Sequence, residues 1–438
     1  MTPSATMLLA RDAALPQRDA LLDTGVVAGR IGRLMSAAGP VTIERCDRLR
    51  VNYQIGKSLR VLHRVEVAGT SWTISARAFR DGRGHRACHE ARAGALPCDG
   101  VRPVFHDAEL DTVFWVFPND RKISRLAAVA SGDLSPRDGL PLVWQSTRLM
   151  AYAPEKSATL ACLDERGRIV AYAKVSAHDQ TERDYHRYRA LQESVTRNPR
   201  NPHLRLPRAL AYLPNYRLLL LEAIDGRRMD DPTGARKVQD ATRFGAALAA
   251  FHELTPRGAP GLTRFASDRL IEARRLVAHV RPDVEGLADA LVCDLISRQP
   301  DATELVCLHG DVHPKNAIVT DREIALIDVE DLATGPAAAD LGSFLAGLLY
   351  LWRGARLAAE THDTVASAFL VGYASVRPLP TRAALRWYTS AALLIERILR
   401  ALTRVRPLGL LHLPELLGDA RALLTDSHDD DLEPRALP

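Results

Sequence analysis

The chain has 438 residues, of which 47% are hydrophobic and 25% charged, and its formal net charge is +5. This length exceeds one ordinary core and predicts two or three domains, while the composition is that of a soluble globular protein. The 58 basic residues include only six lysines and form no cluster with interleaved aromatic residues, so nothing supports nucleic-acid binding.

Cysteine usage and apolar runs indicate a cytoplasmic protein. The six cysteines form no CxxC pair, which in a long chain predicts reduced thiols, and the N-terminal apolar stretch is too short for a signal peptide. The longest apolar run, from Ser343 to Trp352, is about half of a membrane span and predicts a buried helix. His85, Cys88, His89 and Cys98 cluster, but their spacing matches no standard zinc finger.

The first part of the chain predicts a helix followed by strands. Residues 1–40 form a leader with one predicted helix over 18–39. Alternating apolar residues then predict a hairpin with strands at 61–67 and 72–79. The same alternation returns at 158–163 and 169–175, on either side of a turn rich in charged residues and glycine.

These two β-rich passages resemble each other. The pattern Tyr-x-x-x-Lys-Ser begins at Tyr53 and again at Tyr152, and the Ala-Arg pair that ends at Arg77 matches the Ala-Lys pair that ends at Lys174. We interpret this as a weak internal repeat of two small β-rich units, each with a hairpin and a following helix. The alternative is that two ordinary hairpins share a turn by chance.

Turn-forming residues at 133–141 predict a domain boundary, and the pattern becomes helical from about residue 235. Helices are predicted at 244–252, 262–280, 382–402 and 414–424. The predicted domains are a leader at 1–40, a β-rich cap or degenerate repeat at 41–135, a nucleotide-binding lobe and hinge at 142–226, a helical catalytic lobe at 227–425, and an acidic tail at 426–438.

The stretch LHGDVHPKN, from Leu308 to Asn316, concentrates polar residues inside an apolar run. A hairpin through 317–327, turning at 320–322, would bring Asp328 back beside Asn316. An amide oxygen and a carboxylate are hard ligands suited to Mg²⁺, and Asp311 could accept a proton from an attacking hydroxyl. This arrangement is typical of phosphoryl transfer.

HGDVHPKN followed by LIDVED resembles the catalytic and metal-binding segments of the aminoglycoside phosphotransferase-like family. The segments at 217–226, 249–254 and 335–341 resemble the family's hinge strand, early helix and post-metal segment, so the resemblance covers about 145–400. It implies an α+β, protein-kinase-like bilobal fold with an antiparallel-sheet N-lobe and a helical C-lobe. The β-rich cap would be an addition at the N-terminus.

The resemblance also implies roles for residues of the loop. Asp311 would be the catalytic base, and Asn316 and Asp328 would hold Mg²⁺. His309 is expected to brace the loop and His313 to shape it, with a direct chemical role for His313 as the alternative. Asp340 is expected to accept hydrogen bonds from loop amides.

The nucleotide-binding residues follow from the same resemblance. Lys174 ends an apolar strand, where this fold places its phosphate-binding lysine, and an edge-strand lysine in solvent is the alternative. Its carboxylate partner would be Glu182, with Glu193 as second candidate. No glycine-rich phosphate loop is present. The remaining candidates are Lys156 and Ser157 at the preceding turn, where a plain turn is the alternative, and Glu222 and Ile224 at the hinge.

We therefore expect a kinase that moves the γ-phosphate of ATP or GTP to a hydroxyl of a sugar, aminoglycoside or amino-alcohol. In outline the chain resembles maltokinase-like members, which carry an extra N-terminal cap. The first β-rich unit of this chain is expected to be non-catalytic and to serve as a cap, a substrate-specificity domain or a surface through which an oligomer could form. The alternatives are a kinase acting on Ser or Thr of a peptide, a nucleotide-binding pseudokinase, and a nucleic-acid-binding scaffold. An acidic pocket would indicate a cationic acceptor, but residues such as Glu396 cannot be assigned to one from the sequence.

Overall fold

A computed structural model describes residues 8–132, 134, 142–197, 203–231, 236–256, 258–301 and 304–425. The predicted boundary at 133–141, apart from Leu134, and the predicted acidic tail at 426–438 lie outside these residues. The chain forms two compact units. The first comprises 1–185, 209–223 and 403–405, and the second comprises 186–208, 224–402 and 406–438.

The first unit contains two five-stranded antiparallel sheets. The strands of the N-terminal sheet are β1 (Arg45–Gln54), β2 (Ser58–Val67), β3 (Thr70–Ala78), β4 (Val104–Asp107) and β5 (Thr112–Val116). Those of the second sheet are β6 (Ser146–Ala153), β7 (Ser157–Leu163), β8 (Ile169–Ser176), β10 (Ala209–Leu213) and β11 (Leu218–Glu222). The N-terminal sheet has the order β1-β2-β3-β5-β4, and the second sheet has the order β6-β7-β8-β11-β10.

Helices accompany both sheets of the first unit. They are α1 (Arg18–Leu22), α2 (Thr24–Leu34), α3 (Arg83–Arg92), α4 (Leu126–Ser131) and the start of α5 (Gln180–Arg197). The prediction of one helix over 18–39 was wrong, because the Asp23 side chain accepts hydrogen bonds from the amides of Gly25 and Val26 and begins a second helix. Strands β4 and β5 were not predicted.

The second unit is mainly helical. Its helices are α6 (Lys237–His252), α7 (Ser267–Val280), α8 (Glu285–Ser297), α9 (Ala337–Arg353), α10 (Ala359–Ala374), α11 (Arg382–Ala392), a π-helix (Leu393–Ile398), α12 (Leu399–Thr403), α13 (Pro407–Leu411) and α14 (Leu413–Thr425). Helix α7 begins five residues after the predicted start at Leu262, because Leu262 forms a backbone hydrogen bond with Thr334. No helix among the described residues is long and apolar enough to span a membrane.

Short strands in this unit hold the loop segments. Strand β13 (Val306–Leu308) pairs with β16 (Ala333–Gly335), and β14 (Ala317–Val319) pairs with β15 (Ile324–Leu326) as the predicted hairpin. Strands β12 (Arg227–Arg228) and β9 (Leu204–Arg205) extend the hairpin on its two sides.

Helices α6 and α10 approach each other closely through two glycines. A Cβ atom on Gly245 would overlap the backbone of Phe369, and one on Gly372 would overlap the backbone of Thr242. The overlapped atoms belong to main chains, so a rotamer change cannot relieve the clash.

We expect Gly372→Ala to lower the free energy of unfolding by about 1–3 kcal/mol, because the two helices must move apart. Gly418→Ala is the matched control, since Gly418 is exposed on helix α14 with no atom within 4 Å of the added Cβ. Its stability should stay equal or rise by up to about 1 kcal/mol. Urea unfolding midpoints measure both effects, and equal midpoints for the two variants would contradict the packing argument.

Candidate active site

The loop that follows β13 turns sharply at Gly310. This residue has φ +83°, and a Cβ there would overlap the carbonyl of Asp331. Only glycine satisfies both the left-handed backbone and the close approach. The polar stretch is thus pressed against the segment that follows β15.

Asp340, near the start of α9, holds the loop from inside the core. Its carboxylate accepts hydrogen bonds from the amides of His309 (2.7 Å) and Gly310 (3.0 Å). The same carboxylate lies 3.1 Å from Nε2 of His252, whose Nδ1 lies 2.9 Å from the Tyr373 hydroxyl. Burial raises the pKa of Asp340, but His252, His309 and the loop amide outweigh it, and the pKa is lowered. Asp340 accepts from loop amides as predicted.

His309 is buried and connects the loop to the segment that follows β15. Its Nε2 lies 3.0 Å from the carbonyl oxygen of Ile327, and its Nδ1 accepts from the amide of Asp311 at 3.3 Å. These contacts brace the loop.

Asp311 lies partly exposed at the centre of the loop. Its carboxylate accepts from Nδ2 of Asn316 at 3.1 Å and from Nη1 of Arg400 at 3.2 Å. Burial raises the pKa of Asp311, but the Arg400 guanidinium and His309 outweigh it and hold the pKa below its usual value. The group is therefore a carboxylate at neutral pH.

Asn316 and Asp328 lie on the two arms of the β14–β15 hairpin. The amide of Ile327 donates to the carbonyl of Asn316 at 2.9 Å. This bond brings Asp328, the next residue in the chain, close to Asn316. Asn316 uses Nδ2 to reach both the carbonyl and the carboxylate of Asp311, and this fixes the amide orientation. Asp328 is left-handed, with φ 67°, an uncommon conformation for a non-glycine residue.

The donor set fits a magnesium ion. An amide oxygen and a carboxylate are hard oxygen ligands, and Mg²⁺ typically takes one or two carboxylates, with substrate phosphates and water completing its shell. Among the described residues no group of three or more His, Cys, Asp or Glu side chains could hold a metal ion.

His313 shapes the turn before Asn316. Its Nδ1 accepts from the amide of Lys315 at 3.1 Å and caps a short 3₁₀ turn. Burial, reinforced by the nearby Arg397, lowers the pKa of His313 to about 4. The ring is therefore neutral at pH 7.

The π-helix supplies charges that the sequence did not predict. Glu396 is buried, and its carboxylate accepts from Arg264 at 2.5 Å and from the Ser343 hydroxyl. Arg397 is also buried and donates to the Ser343 carbonyl at 2.7 Å. π-helical turns often occur at functional sites. A run of charged residues in an otherwise apolar helix, Glu396-Arg397 with Arg400 one turn later, was the available signal.

A cavity of about 650 Å³ opens beside the loop. Asp331, whose carbonyl packs on Gly310, lines it together with Leu332. Its charged lining is balanced and its remaining walls are mainly apolar. The charged residues are Arg187, Arg264, Arg269, Glu272, Glu330 and Asp331.

The predicted nucleotide residues lie in the first unit, apart from Ile224 and the second-choice carboxylate Glu193. Lys174 is half-buried on β8, opposite Thr159 of β7 and Leu219 of β11. Glu222 ends β11, and Ile224 is buried shortly after it.

Helix α5 carries the predicted carboxylate partners of Lys174. Glu182 and Glu193 are both exposed, whereas Asp184 is buried on the same helix. Buried carboxylates are normally paired, which makes Asp184 a candidate that sequence reasoning missed. Its burial, and not its position in the sequence, distinguishes it.

The turn between β6 and β7 carries the other two candidates. Lys156 is exposed and Ser157 is half-buried. Glu155, which was not predicted, is buried beside them with φ 62°.

Comparison with solved structures finds similar chains among phosphotransferases. An aminoglycoside phosphotransferase from Streptomyces rimosus is 18% identical, with a TM-score of 0.39, 57% of this chain covered and 92% of that one. A macrolide 2'-phosphotransferase from Brachybacterium faecium is 17% identical, with a TM-score of 0.43 and coverage of 68% and 97%. An amicoumacin kinase in complex with AMP-PNP and Ca²⁺ is 15% identical, with a TM-score of 0.46 and coverage of 67% and 92%. No protein of curated function matches the chain.

A protein-family model matches more than half of the chain. Residues 159–388 match the model of the phosphotransferase enzyme family APH. The fold is accordingly α+β and protein-kinase-like, with an antiparallel-sheet N-lobe and a helical C-lobe. The match covers more than half of the chain and runs from β7 through the loop that carries Asp311 and Asn316. The chain therefore belongs to this phosphotransferase family.

Proposed function

We propose that the protein transfers the γ-phosphate of ATP or GTP to a hydroxyl group of a small molecule. The observation that carries the proposal is the hydrogen-bonded set of Asp311 and Asn316 with Asp328 on the same hairpin. A base, an amide oxygen and a carboxylate in this order are what phosphoryl transfer requires.

In the proposed reaction Asp311 orients the acceptor hydroxyl and takes its proton. The hydroxyl oxygen bonds to the γ-phosphorus while the bond to the β–γ bridging oxygen breaks, which leaves a phosphate ester and ADP or GDP. Mg²⁺ held by Asn316 and Asp328 would neutralise charge on the phosphates. Arg400 keeps Asp311 ionised through its contact at 3.2 Å. Positioning and electrostatics would supply most of the rate.

Lys174 would steady the phosphates and the hinge residues Glu222 and Ile224 would meet the base. Support comes from the placement of Lys174 on β8, the central strand of the sheet, between Thr159 of β7 and Leu219 of β11. We propose buried Asp184 as its carboxylate partner in preference to exposed Glu182. Lys156 and Ser157 at the β6–β7 turn would contact the phosphates.

We propose that the acceptor binds in the cavity beside Asp331 and that it is an uncharged polyhydroxyl compound such as a sugar. A polycationic aminoglycoside requires a lining of net negative charge, whereas three arginines here balance three carboxylates. A neutral sugar as acceptor agrees with the resemblance in outline to maltokinase-like enzymes, which itself remains a prediction.

Mass spectrometry of acceptor mixtures tests the function. The protein is incubated with Mg²⁺, ATP or GTP, and separate pools of neutral sugars, aminoglycosides, amino-alcohols and Ser/Thr peptides, with Asp311→Asn as control. We expect a new phosphate ester in the neutral sugar pool from the wild type alone. A product only in the aminoglycoside pool would contradict the acceptor class, a phosphopeptide would indicate a protein kinase, and no product in any pool would indicate a pseudokinase.

A further inference from the structure

The two sheets of the first unit share one topology. In each, three consecutive strands form a meander, a helix follows the third strand, and the last two strands add in reverse order beside it. The helices are α3 after β3 and α5 after β8. A common strand order with a helix at the same place exceeds what two ordinary hairpins would share.

The register of the sheets agrees residue by residue. Tyr53 pairs with Leu59 as Tyr152 pairs with Ala158, and Arg77 stands on β3 where Lys174 stands on β8. In both turns the amide of the lysine bonds to a carbonyl three residues earlier at 2.9 Å.

Both turns are left-handed at the same position and are anchored in the same way. Gly56 has φ 67° and Glu155 has φ 62°. One Asp12 carboxylate oxygen accepts from the Tyr53 hydroxyl at 2.6 Å and from the Gly56 amide at 2.9 Å. One Asp120 carboxylate oxygen accepts from the Tyr152 hydroxyl at 2.6 Å and from the Glu155 amide at 2.9 Å.

The copies differ at the residue that needs a left-handed backbone. Glycine fills it in the N-terminal copy, whereas the second copy has Glu155, whose carboxylate is 3% exposed. Three arginines from the N-terminal part of the chain hold this carboxylate, and we call them the arginine clamp. Arg121 binds it with two nitrogens at 2.7 and 2.9 Å, Arg60 lies at 3.4 Å, and Arg77 forms the closest contact.

One arginine of the clamp stands at the position that corresponds to the proposed phosphate-binding lysine of the second copy. Arg77 occupies the position of Lys174, yet its guanidinium faces a carboxylate of the other copy. Two-nitrogen contacts from arginine to carboxylate fix geometry as well as charge. The β6–β7 turn therefore has little freedom, although it stands where a kinase-like fold covers the phosphates.

We propose that the N-terminal sheet is a second, non-catalytic copy of the nucleotide lobe that positions the β6–β7 turn for nucleotide through Glu155 and the arginine clamp. The inference rests on the proposed function. Glu155 is a positioning residue, because it acts through the turn that presents Lys156 and Ser157.

Variants at Glu155 test the inference by nucleotide affinity. Glu155→Gln removes the charge, and Glu155→Gly removes the carboxylate while relieving the left-handed backbone. We expect both to weaken binding of Mg²⁺–ADP about tenfold or more by calorimetry, and to raise the nucleotide KM while the acceptor KM stays constant. Arg121→Gln should act in the same direction, Arg121→Lys should restore part of the affinity, and combining Arg121→Gln with Glu155→Gln should add little to either alone.

The control is Glu90→Gln, which removes an exposed carboxylate paired with Arg86 on α3. Arg121 is the most exposed member of the clamp, so its variants serve if those at Glu155 do not fold. Wild-type affinity in the clamp variants, even with lower thermal stability, would overturn the inference and leave the proposed function standing. A wild type that binds no nucleotide would overturn the proposed function itself, and the inference with it.

Discussion

Asp311→Asn is expected to lower kcat by a factor of about 10²–10⁴, the range for loss of a general base. Asparagine keeps the shape of the side chain and an oxygen that can accept from Nδ2 of Asn316, so the loop should keep its structure. The nucleotide KM should change only a few-fold. Steady-state kinetics with the acceptor found by mass spectrometry measures both parameters.

The matched control is Asp321→Asn, at the exposed tip of the same β14–β15 hairpin. It removes a carboxylate from the same structural element and should leave kcat unchanged. If Asp311→Asn kept its kcat within tenfold of the wild type, Asp311 would not be the base.

Asp340→Ala is expected to destabilise the protein by about 3–5 kcal/mol. The substitution removes the acceptor of the His309 and Gly310 amides and the partner of His252, and all three groups would stay buried. For a unit of this size the melting temperature should fall by roughly 6–20 °C. Differential scanning calorimetry measures the shift.

A surface carboxylate provides the comparison. Asp294 pairs with Arg421 on exposed faces of α8 and α14, so Asp294→Ala should cost less than about 1 kcal/mol. Asp340→Asn, which retains one acceptor oxygen, should fall between the two. A melting temperature for Asp340→Ala close to that of Asp294→Ala would mean that the loop does not depend on the buried carboxylate.

The sequence predicted those parts of the site that are contiguous. Asp311 and Asn316 lie in one short loop, and the alternation of apolar residues on either side predicted the hairpin that brings Asp328 back. Local patterning therefore sufficed for this part of the site. The likeness of the two turns was also visible in the sequence, because tyrosine and lysine stand at equal spacing in both.

The residues that sequence reasoning missed act over long separations. Arg400 meets Asp311 from 89 positions away, and Arg121 meets Glu155 from 34. In a chain whose basic residues are almost all arginine, the sequence does not show which carboxylate each arginine meets. Burial distinguishes Asp184 from the exposed carboxylates of α5, and burial depends on packing that the helical pattern alone does not specify.

The link from Tyr373 through His252 to Asp340 has a consequence for motion. The loop amides bond to a carboxylate that is itself bonded into the packed interface of α6 and α10. Displacing the loop would break these buried hydrogen bonds, and water could not replace them. The free energy of opening the loop should therefore be nearly as large as that of opening the helical core. We therefore expect the loop that carries Asp311 to remain stationary while substrates bind and products leave.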